Sequence, residues 1–300
     1  MASTDGGLPF SVRKGAPFPP PALDGHMNVV FSPRERRWIG YLRCPAAGPK
    51  ETAIRVACYT VSSSADFESS SWSLPRPTGL NSSVAFQPDS LTTFGYAGIF
   101  LGFANTFNPS QQVGGPLPPG QSVMVLVWSP DGRTWEAVSP NESESLVPLA
   151  PSGGGWDCCS VFGAKQDLET TPEFLSGAAE LPLFYSGCNG RFFGPRACGL
   201  GKATIGRHAF AGYVADGGGG TLVSAPMMAD TGRLLVTGSG AIRVGVMYDG
   251  ALSAAASTIV NGTEVEVRWG ANGTLSKWKG SAVVLVFELE AGSALYAFHL

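Results

Sequence analysis

Short apolar segments rich in Val, Ile, Phe and Tyr recur along the chain, and Gly, Pro, Asn or Asp separates each segment from the next. This spacing predicts antiparallel β-strands joined by tight turns, and long stretches with the 3.6-residue period of a helix are absent. Three stretches, residues 24–80, 81–150 and 151–217, each show about four such segments. Four-stranded units that repeat about every 60–80 residues indicate the blades of a β-propeller.

The turn after the third segment has a similar sequence in the first two stretches. "SSADFESSSW" and "SPDGRTW" both place a Ser, then an Asp two residues later, and then a Trp. We expect Asp66 and Asp131 to bond the backbone of their own turns, and Trp to close over the turn as a buried plug. A degenerate third copy, "TIGRHAF", follows in the third stretch.

The pattern changes after the glycine run at 217–220. Segments such as "TEVEVRW" alternate polar and apolar residues, as a half-exposed antiparallel strand does, and they lack the Ser-Asp-Trp turn. We therefore expect a separate C-terminal β-sandwich over residues 218–300, joined through a glycine linker. Residues 1–23 are an irregular, Pro-rich lead-in, so the predicted fold class is all-β.

Composition narrows the classes of partner. Charged residues make up 14% of the chain and the formal net charge is −3, so the basic footprint of a nucleic-acid-binding protein is missing. No apolar run approaches the roughly 20 residues that would cross a bilayer. The first residues also lack the apolar core of a signal peptide. We expect neither nucleic acid nor membrane as a partner.

The six cysteines suggest an oxidising compartment instead. Their spacing allows disulfides between Cys44 and Cys58 and between Cys188 and Cys198, and Cys158 and Cys159 are adjacent, but it leaves the disulfide status of the six cysteines open. Four N-glycosylation sequons agree with a secretory route, although chance explains them equally well. Localisation therefore stays open between the secretory pathway, for a fragment, and the cytoplasm. No C-x2-C pair occurs, and we expect no metal and no cofactor.

Several motifs are similar to those of a known superfamily. They are "DGHMNVVF", "RRWIGYLR", "GIFLGF", "VWSPDGRTW", "GGWDCCSVFGA", "LFYSGCNG" and "GRLLVTGSGAIRVGVMYDG". From Asp24 onward the chain resembles the five-bladed β-propeller glycoside hydrolases, which include invertase/levanase-like and arabinanase-like families. Only three blades are visible instead of five, and Asn-Asp-Pro, Arg-Asp-Pro and Glu-Cys motifs are absent. A partial propeller exposes unpaired blade edges, so we expect self-association through them.

The first strand of each predicted blade carries an acid: Asp24, Asp89 and Asp157. The innermost strands of a propeller line its channel, so these acids are candidates for glycosidic cleavage. That reaction needs two carboxyl groups, about 5–5.5 Å apart for retention or about 6.5–9.5 Å for inversion. We expect Asp157 and Asp24 to be catalytic and Asp89, beside Pro88, to lie in a loop. The alternative is that Asp24 and Asp157 only bond turn backbone.

Six residues near the same strand ends are expected to bind substrate: His26, Asn28, Arg43, Trp156, Tyr185 and Asn189. Trp156 offers an apolar face to a pyranose ring, and Arg43 offers a planar fork to a carboxylate or to sugar hydroxyls. Structural roles are the alternative: His26 as a satisfied structural histidine, Arg43 paired with a neighbouring acid, and Trp156 in the core.

The expected function is that of a glycoside-hydrolase-like protein acting on an oligo- or polysaccharide through paired carboxylates in a propeller channel. Because a fold does not fix an activity, a non-catalytic carbohydrate-binding or interaction module on the same scaffold is the alternative. A third reading is a structural fragment without a ligand, which predicts apolar side chains at the channel mouth.

Overall fold

The computed structural model describes residues 2–3, 10–11, 28–44, 54–67, 70–80, 87–109, 118–139, 144–150, 155–192, 194–255, 258–270 and 273–300. Nearly all regular structure in these ranges is β, which confirms the predicted all-β class. The helical segments described are one α-helical turn, α1 (Pro172–Leu175), and two 3-10 turns, Leu168–Thr170 and Leu275–Trp278. None of the described helices is long and apolar enough to span a bilayer.

The residues group into two compact units. Unit 1 comprises residues 1–171 and 182–203, and unit 2 comprises residues 172–181 and 204–300. The predicted domain boundary between 217 and 218 stays a prediction. Residues 216–219 form a turn, closed by the Gly219 N–H, which donates to the Asp216 carbonyl.

Unit 1 contains two larger sheets and a short two-stranded one, β1 (Ala2–Ser3) with β2 (Phe10–Ser11). Four consecutive antiparallel strands form the first large sheet: β3 (Asn28–Ser32), β4 (Arg37–Cys44), β5 (Val56–Val61) and β6 (Arg76–Pro77). The chain alternates direction from one strand to its neighbour, as in a single meander.

The second large sheet has seven strands. They are β7 (Gln87–Tyr96), β8 (Ile99–Phe107), β9 (Ser122–Ser129), β10 (Glu136–Ala137), β11 (Ser160–Gly163), β12 (Glu180–Cys188) and β13 (Cys198–Gly206). Their order is β13-β12-β11-β9-β8-β7, and β10 also pairs with β9. A single parallel pairing, Ser160 with Ser122, joins the meander β7–β10 to the meander β11–β13.

Unit 2 is built on an eight-stranded sheet. Its strands are β14 (Tyr213–Val214), β15 (Gly220–Val223), β16 (Met227–Met228), β17 (Leu235–Tyr248), β18 (Ala251–Ala255), β19 (Val260–Glu266), β20 (Ala282–Leu289) and β21 (Ala294–His299). The main path is β14-β21-β17-β20-β15. Strand β14, expected as the last strand of the third blade, pairs with β21 and not with β13. Strand β14 therefore belongs to the sheet of unit 2, although it lies within the third predicted stretch, residues 151–217.

Strand termini in unit 1 gather at one end of the second large sheet. The register pairs Gln87 with Phe107, Phe107 with Ser122, Ser122 with Ser160, and Ser160 with Cys188. In the first large sheet, β3 and β5 begin and β4 ends on one side, and from that side Asn28 and Arg43 reach β7. We call this end of unit 1 the site end. The opposite, turn end carries the hairpin turns at 33–36, 97–98 and 130–134.

The turn motif "SPDGRTW" folds as its sequence predicts. Asp131 Oδ1 accepts hydrogen bonds from the backbone N–H groups of Arg133 (2.8 Å) and Thr134 (3.0 Å) and from the Ser129 hydroxyl (3.0 Å). Partial burial alone would raise the pKa of Asp131, but these hydrogen bonds and the nearby Arg133 charge outweigh it and lower the pKa below its ordinary value.

Trp135 is the buried plug of this turn, with 1% of its surface exposed. Its indole N–H donates to the Gly132 carbonyl (3.2 Å), as does the Tyr41 hydroxyl from the first large sheet (2.8 Å). Gly132 has a φ of 73°, and a Cβ there would lie 2.7 Å from Ile39 Cδ1. Only glycine fits this position, where the two sheets of unit 1 meet.

Candidate functional site

Trp156 and Asp157 lie in the turn that leads into β11, against the hairpin of β12 and β13. The Trp156 ring packs on backbone at Gly187 and Gly199, where a Cβ would approach it to 2.8 Å and 3.3 Å. Tyr185, on β12, stacks beside it with ring centroids 5.8 Å apart and ring planes inclined by 20°. Trp156 keeps 44% of its surface exposed, so it is a surface platform and not a core residue.

The Tyr185 hydroxyl holds the Asp157 carboxylate. It donates a hydrogen bond to Asp157 Oδ2 at 2.7 Å. Burial, followed by the hydrogen bond to Asp157 and the charge of that carboxylate, raises the pKa of Tyr185 to about 12. The phenol therefore stays protonated at neutral pH and remains a donor, which fixes one oxygen of Asp157 beside the exposed indole.

A second acid, Asp89, lies in β7 and is only 2% exposed. Both Arg43 and Arg55 donate to its Oδ1, at 2.5 Å and 2.6 Å. The sequence had suggested a loop here because of Pro88, and that expectation was wrong. The register shifts between Pro88 and Ser90, so a bulge places Pro88 within a strand.

A chain of hydrogen bonds and pairing links the two acids across unit 1. The residue after Asp89, Ser90, accepts a hydrogen bond from the Asn105 amide at 2.6 Å, and Asn105 Oδ1 accepts from the Gly163 N–H at 2.8 Å. Gly163 in turn pairs with Tyr185 in the β11–β12 ladder. The strands that carry Asp89 and the Tyr185–Asp157 pair therefore form one bonded framework.

All six cysteines are paired in disulfides, and two of the three bonds are the pairs that the spacing allows. The bonds join Cys44 to Cys58, Cys188 to Cys198 and the neighbours Cys158 and Cys159. Each lies at the site end. The first ties the end of β4, next to Arg43, to β5, the second closes the β12–β13 hairpin, and the third directly follows Asp157.

The structure assigns contacts to most of the predicted substrate-binding residues. The Asn28 amide donates to Thr93 Oγ1 (2.8 Å) and O (3.1 Å), which ties β3 to β7. The exposed Asn189 accepts from the Ala197 N–H at 2.9 Å and so closes a loop. Asp24 and His26 lie outside the described residues. The roles of all eight predicted site residues in binding or catalysis stay predictions.

Sequence reasoning missed Arg55 and the aromatic pair Phe107 and Phe192. The Arg55 guanidinium carbon lies 4.8 Å from the centroid of the Phe107 ring, and Phe192 stacks on Phe107 at 4.5 Å with an interplanar angle of 21°. Phe107 ends β8 and Phe192 lies in the loop after β12, so only the fold brings them together. The one available signal was the basic, aromatic loop "NGRFFGPRA" between two cysteines.

A cavity of about 550 Å³ lies at the turn end of unit 1. Its lining combines aromatic side chains with Arg34 and three carboxylates, Glu35, Asp131 and Glu169. Each carboxylate is engaged: Glu35 binds Arg133, Asp131 bonds its own turn, and Glu169 accepts from the Ala97 N–H at 2.8 Å. Among the described residues, no three His, Cys, Asp or Glu side chains are placed to hold a metal ion.

No family model and no curated protein matches the sequence of this chain. Among the solved structures similar to this chain, two have a TM-score of 0.41 each. The first is an N-acetylgalactosamine deacetylase from F. plautii in complex with blood group B trisaccharide, with 16% identity over 60% of this chain and 49% of the other. This chain thus spans about half the length of that deacetylase.

The second structure is Zg3597, a family 117 glycoside hydrolase produced by the marine bacterium Zobellia galactanivorans. It shares 10% identity with this chain, and the match covers 90% of this chain and 85% of that one. Both similarities are too low to carry an argument about function, so the function must be argued from the residues at the site end.

Proposed function

We propose that unit 1 binds a saccharide at its site end and hydrolyses a glycosidic bond there with the help of Asp157. The observation that carries this proposal is the half-exposed Trp156 indole, stacked on Tyr185 and placed directly beside a carboxylate that Tyr185 orients. An apolar ring face next to oriented polar groups suits a pyranose, which has apolar C–H faces and a rim of hydroxyls.

Trp156 supplies the platform of the proposed site. The ring is supported from below by Gly187 and Gly199, so it is fixed before a ligand arrives. A fixed aromatic side chain loses little conformational entropy on binding, which favours affinity. Burying its exposed face against a sugar ring removes apolar surface from water at roughly 25 cal/mol per Å².

Asp157 is the proposed nucleophile or general base. Its Oδ2 accepts from the Tyr185 hydroxyl, so the carboxylate has a fixed orientation towards a sugar that lies on Trp156. The general acid must be a second carboxyl group within about 10 Å. Asp24 keeps that role as a prediction. Asp89 suits a positioning role, because the donors of Arg43 and Arg55 already converge on its Oδ1.

We also propose that the meanders of unit 1 are blades of a propeller. The first four-stranded sheet and the run β7–β10 each form one sequential meander, and their first strands, β3 and β7, are joined by the hydrogen bonds from Asn28 to Thr93. Such proximity is what a propeller channel requires of its innermost strands.

A non-catalytic carbohydrate-binding module is the second candidate. The state of Asp89 favours it, since this acid of the site end is engaged by two guanidinium groups. The two candidates agree on Trp156 and differ on Asp157. In a binding module the carboxylate only accepts hydrogen bonds from sugar hydroxyls.

Matched variants separate the candidates. We expect Trp156→Ala to abolish both binding, measured by calorimetry on an oligosaccharide panel, and hydrolysis of aryl glycosides. Asp157→Asn should retain binding and lose at least about a hundredfold in kcat, the scale of acid–base catalysis. Trp128→Ala, at a similarly exposed tryptophan, and Asp167→Asn, at an exposed aspartate, are the controls.

Each outcome decides one point. If Asp157→Asn binds saccharide and the wild-type protein shows no hydrolysis, the binding module is the correct function. If Trp156→Ala binds and hydrolyses as the Trp128→Ala control does, the proposed site is wrong.

A further inference from the structure

The loop between β12 and β13 is a basic element at the site end. The Cys188–Cys198 disulfide closes it, with the two Cα atoms 4.1 Å apart. Two hydrogen bonds join Asn189 and Ala197 at the base of the loop. The Asn189 N–H donates to the Ala197 carbonyl (3.1 Å), and the Ala197 N–H donates to Asn189 Oδ1 (2.9 Å). The loop sequence "NGRFFGPRA" contains two arginines and no acid.

Phe192 anchors this loop to the neighbouring strands. It stacks on Phe107, which is fully buried, and lies 6.1 Å from the Phe162 ring centroid. The Arg196 guanidinium carbon lies 5.1 Å from the Phe192 centroid and 5.8 Å from that of Phe162. Its Nη1 donates to the Phe192 carbonyl at 2.8 Å. The exposed Arg196 is thus held in one place by cation–π attraction and a hydrogen bond.

Arg55, directly before β5, approaches the same aromatic stack. Its guanidinium carbon is 4.8 Å from the Phe107 centroid and 6.0 Å from that of Phe192, while its Nη1 binds Asp89. Arg43 binds the same Asp89 oxygen. Among the described residues of this cluster, three guanidinium groups therefore accompany one carboxylate, although the whole chain has a net charge of −3.

We infer that the saccharide bound at the site end is anionic, carrying uronic acid carboxylates or sulfate esters. This inference rests on the proposed function. A guanidinium group held over an aromatic ring presents planar N–H donors at its edge, and these match the paired oxygens of carboxylate and sulfate. A positive cluster on a negative protein also concentrates anions locally. Arg196 is the residue that the inference assigns to the anionic group.

The test compares charged and neutral forms of the same oligosaccharide by calorimetry. One arm uses oligogalacturonate and its fully methyl-esterified form, and the other uses a sulfated κ-carrageenan oligosaccharide and its desulfated form. We expect the anionic member of one pair to bind about tenfold or more tightly than its neutral partner. The arm that shows the preference identifies carboxylate or sulfate as the group that is recognised.

Variants assign the preference to Arg196. Arg196→Gln should weaken binding of the anionic member about tenfold and leave the neutral member unchanged, which a misfolded protein would not do. Arg196→Lys should restore part of the loss. The matched control, Arg76→Gln, removes another exposed arginine of unit 1 and should change neither affinity.

Two results would overturn the inference. One is equal affinity for the charged and neutral members of both pairs, and the other is an Arg196→Gln variant with unchanged charge preference. With either result, the proposed function would still hold if the protein binds the neutral oligosaccharide and the Trp156→Ala variant does not. Conversely, the preference for the charged oligosaccharide could depend on Arg196 and be unchanged in Trp156→Ala. That result would support the anion site and contradict the proposed Trp156 platform.

Discussion

At the turn end of unit 1, Asp131 accepts hydrogen bonds from backbone N–H groups two and three residues further along the chain. At the site end, Asp157 accepts from Tyr185, 28 residues away, and Asp89 accepts from arginines 34 and 46 residues away. Local partners make a turn that the chain can form by itself. Distant partners make a site that exists only after the sheets have assembled, so the site end depends on tertiary structure for its chemistry.

Removing the Asp89 carboxylate should have the largest effect on stability. In Asp89→Asn, Arg43 and Arg55 lose the negative charge on which both converge in a buried setting, and such losses cost on the order of 3–5 kcal/mol. Urea denaturation at neutral pH measures the change in the free energy of unfolding. Asp167→Asn, at an exposed site, should change it by less than about 0.5 kcal/mol. A loss below about 1 kcal/mol at Asp89 would show that the site end does not depend on this ion-pair cluster.

The next largest effect is expected at the turn end. Gly132→Ala places a Cβ at a φ of 73° and 2.7 Å from Ile39 Cδ1, which combines backbone strain with overpacking for roughly 2–4 kcal/mol. Gly98→Ala is the matched control, because its φ is 80° and a Cβ there meets no atom within 4 Å. It should lose only about 1 kcal/mol. Equal losses in the two variants would remove packing from the explanation and leave strain alone.

Tyr185→Phe tests the single hydrogen bond to Asp157. The change removes a donor to a charged acceptor, which we expect to cost about 1–2 kcal/mol in thermal or urea unfolding. It should also lower kcat more than it raises KM if Asp157 is the catalytic carboxylate, since the ring that supports Trp156 is retained. A rise in KM with kcat unchanged would instead assign Tyr185 to substrate binding alone.

The smallest effect is a pH dependence at Asp131. Its pKa is lower in the folded protein, so the ionised carboxylate stabilises the fold above the unfolded pKa of about 3.9. That contribution disappears as the pH falls through the folded value. Asp131→Asn should therefore be about 0.5–1 kcal/mol less stable than wild type at pH 7, and the difference should shrink below about pH 4. A difference that is constant from pH 7 to pH 3 would contradict the ionic origin.

Much of unit 1 could be predicted from its sequence because its strands and turns are local. Alternating apolar segments marked the strands, and the Ser-Asp-Trp spacing marked the turn in which Asp131 bonds its own backbone and Trp135 is buried. The short spacing across a hairpin or loop made Cys44–Cys58 and Cys188–Cys198 possible disulfide pairs, and both form in the structure.

The site could not be predicted where the local sequence pattern indicated one structure and contacts with distant residues produced another. Pro88 suggested a loop around Asp89, yet a β-bulge keeps the strand intact and Arg43 and Arg55 draw the carboxylate into the interior. Strand β14 lies at the end of one predicted repeat but pairs with β21, about 80 residues later.

The sequence by itself determined the all-β class, the hairpin turns and the cysteine pairs, since each depends on residues close together in the chain. Only the tertiary structure decided that Trp156 is a supported, exposed platform, that Tyr185 orients Asp157, and that Arg55 and Arg196 share one aromatic stack. The physical reason is that these contacts join side chains from strands far apart in sequence, and their partners are fixed by sheet order and register, which local patterns do not specify.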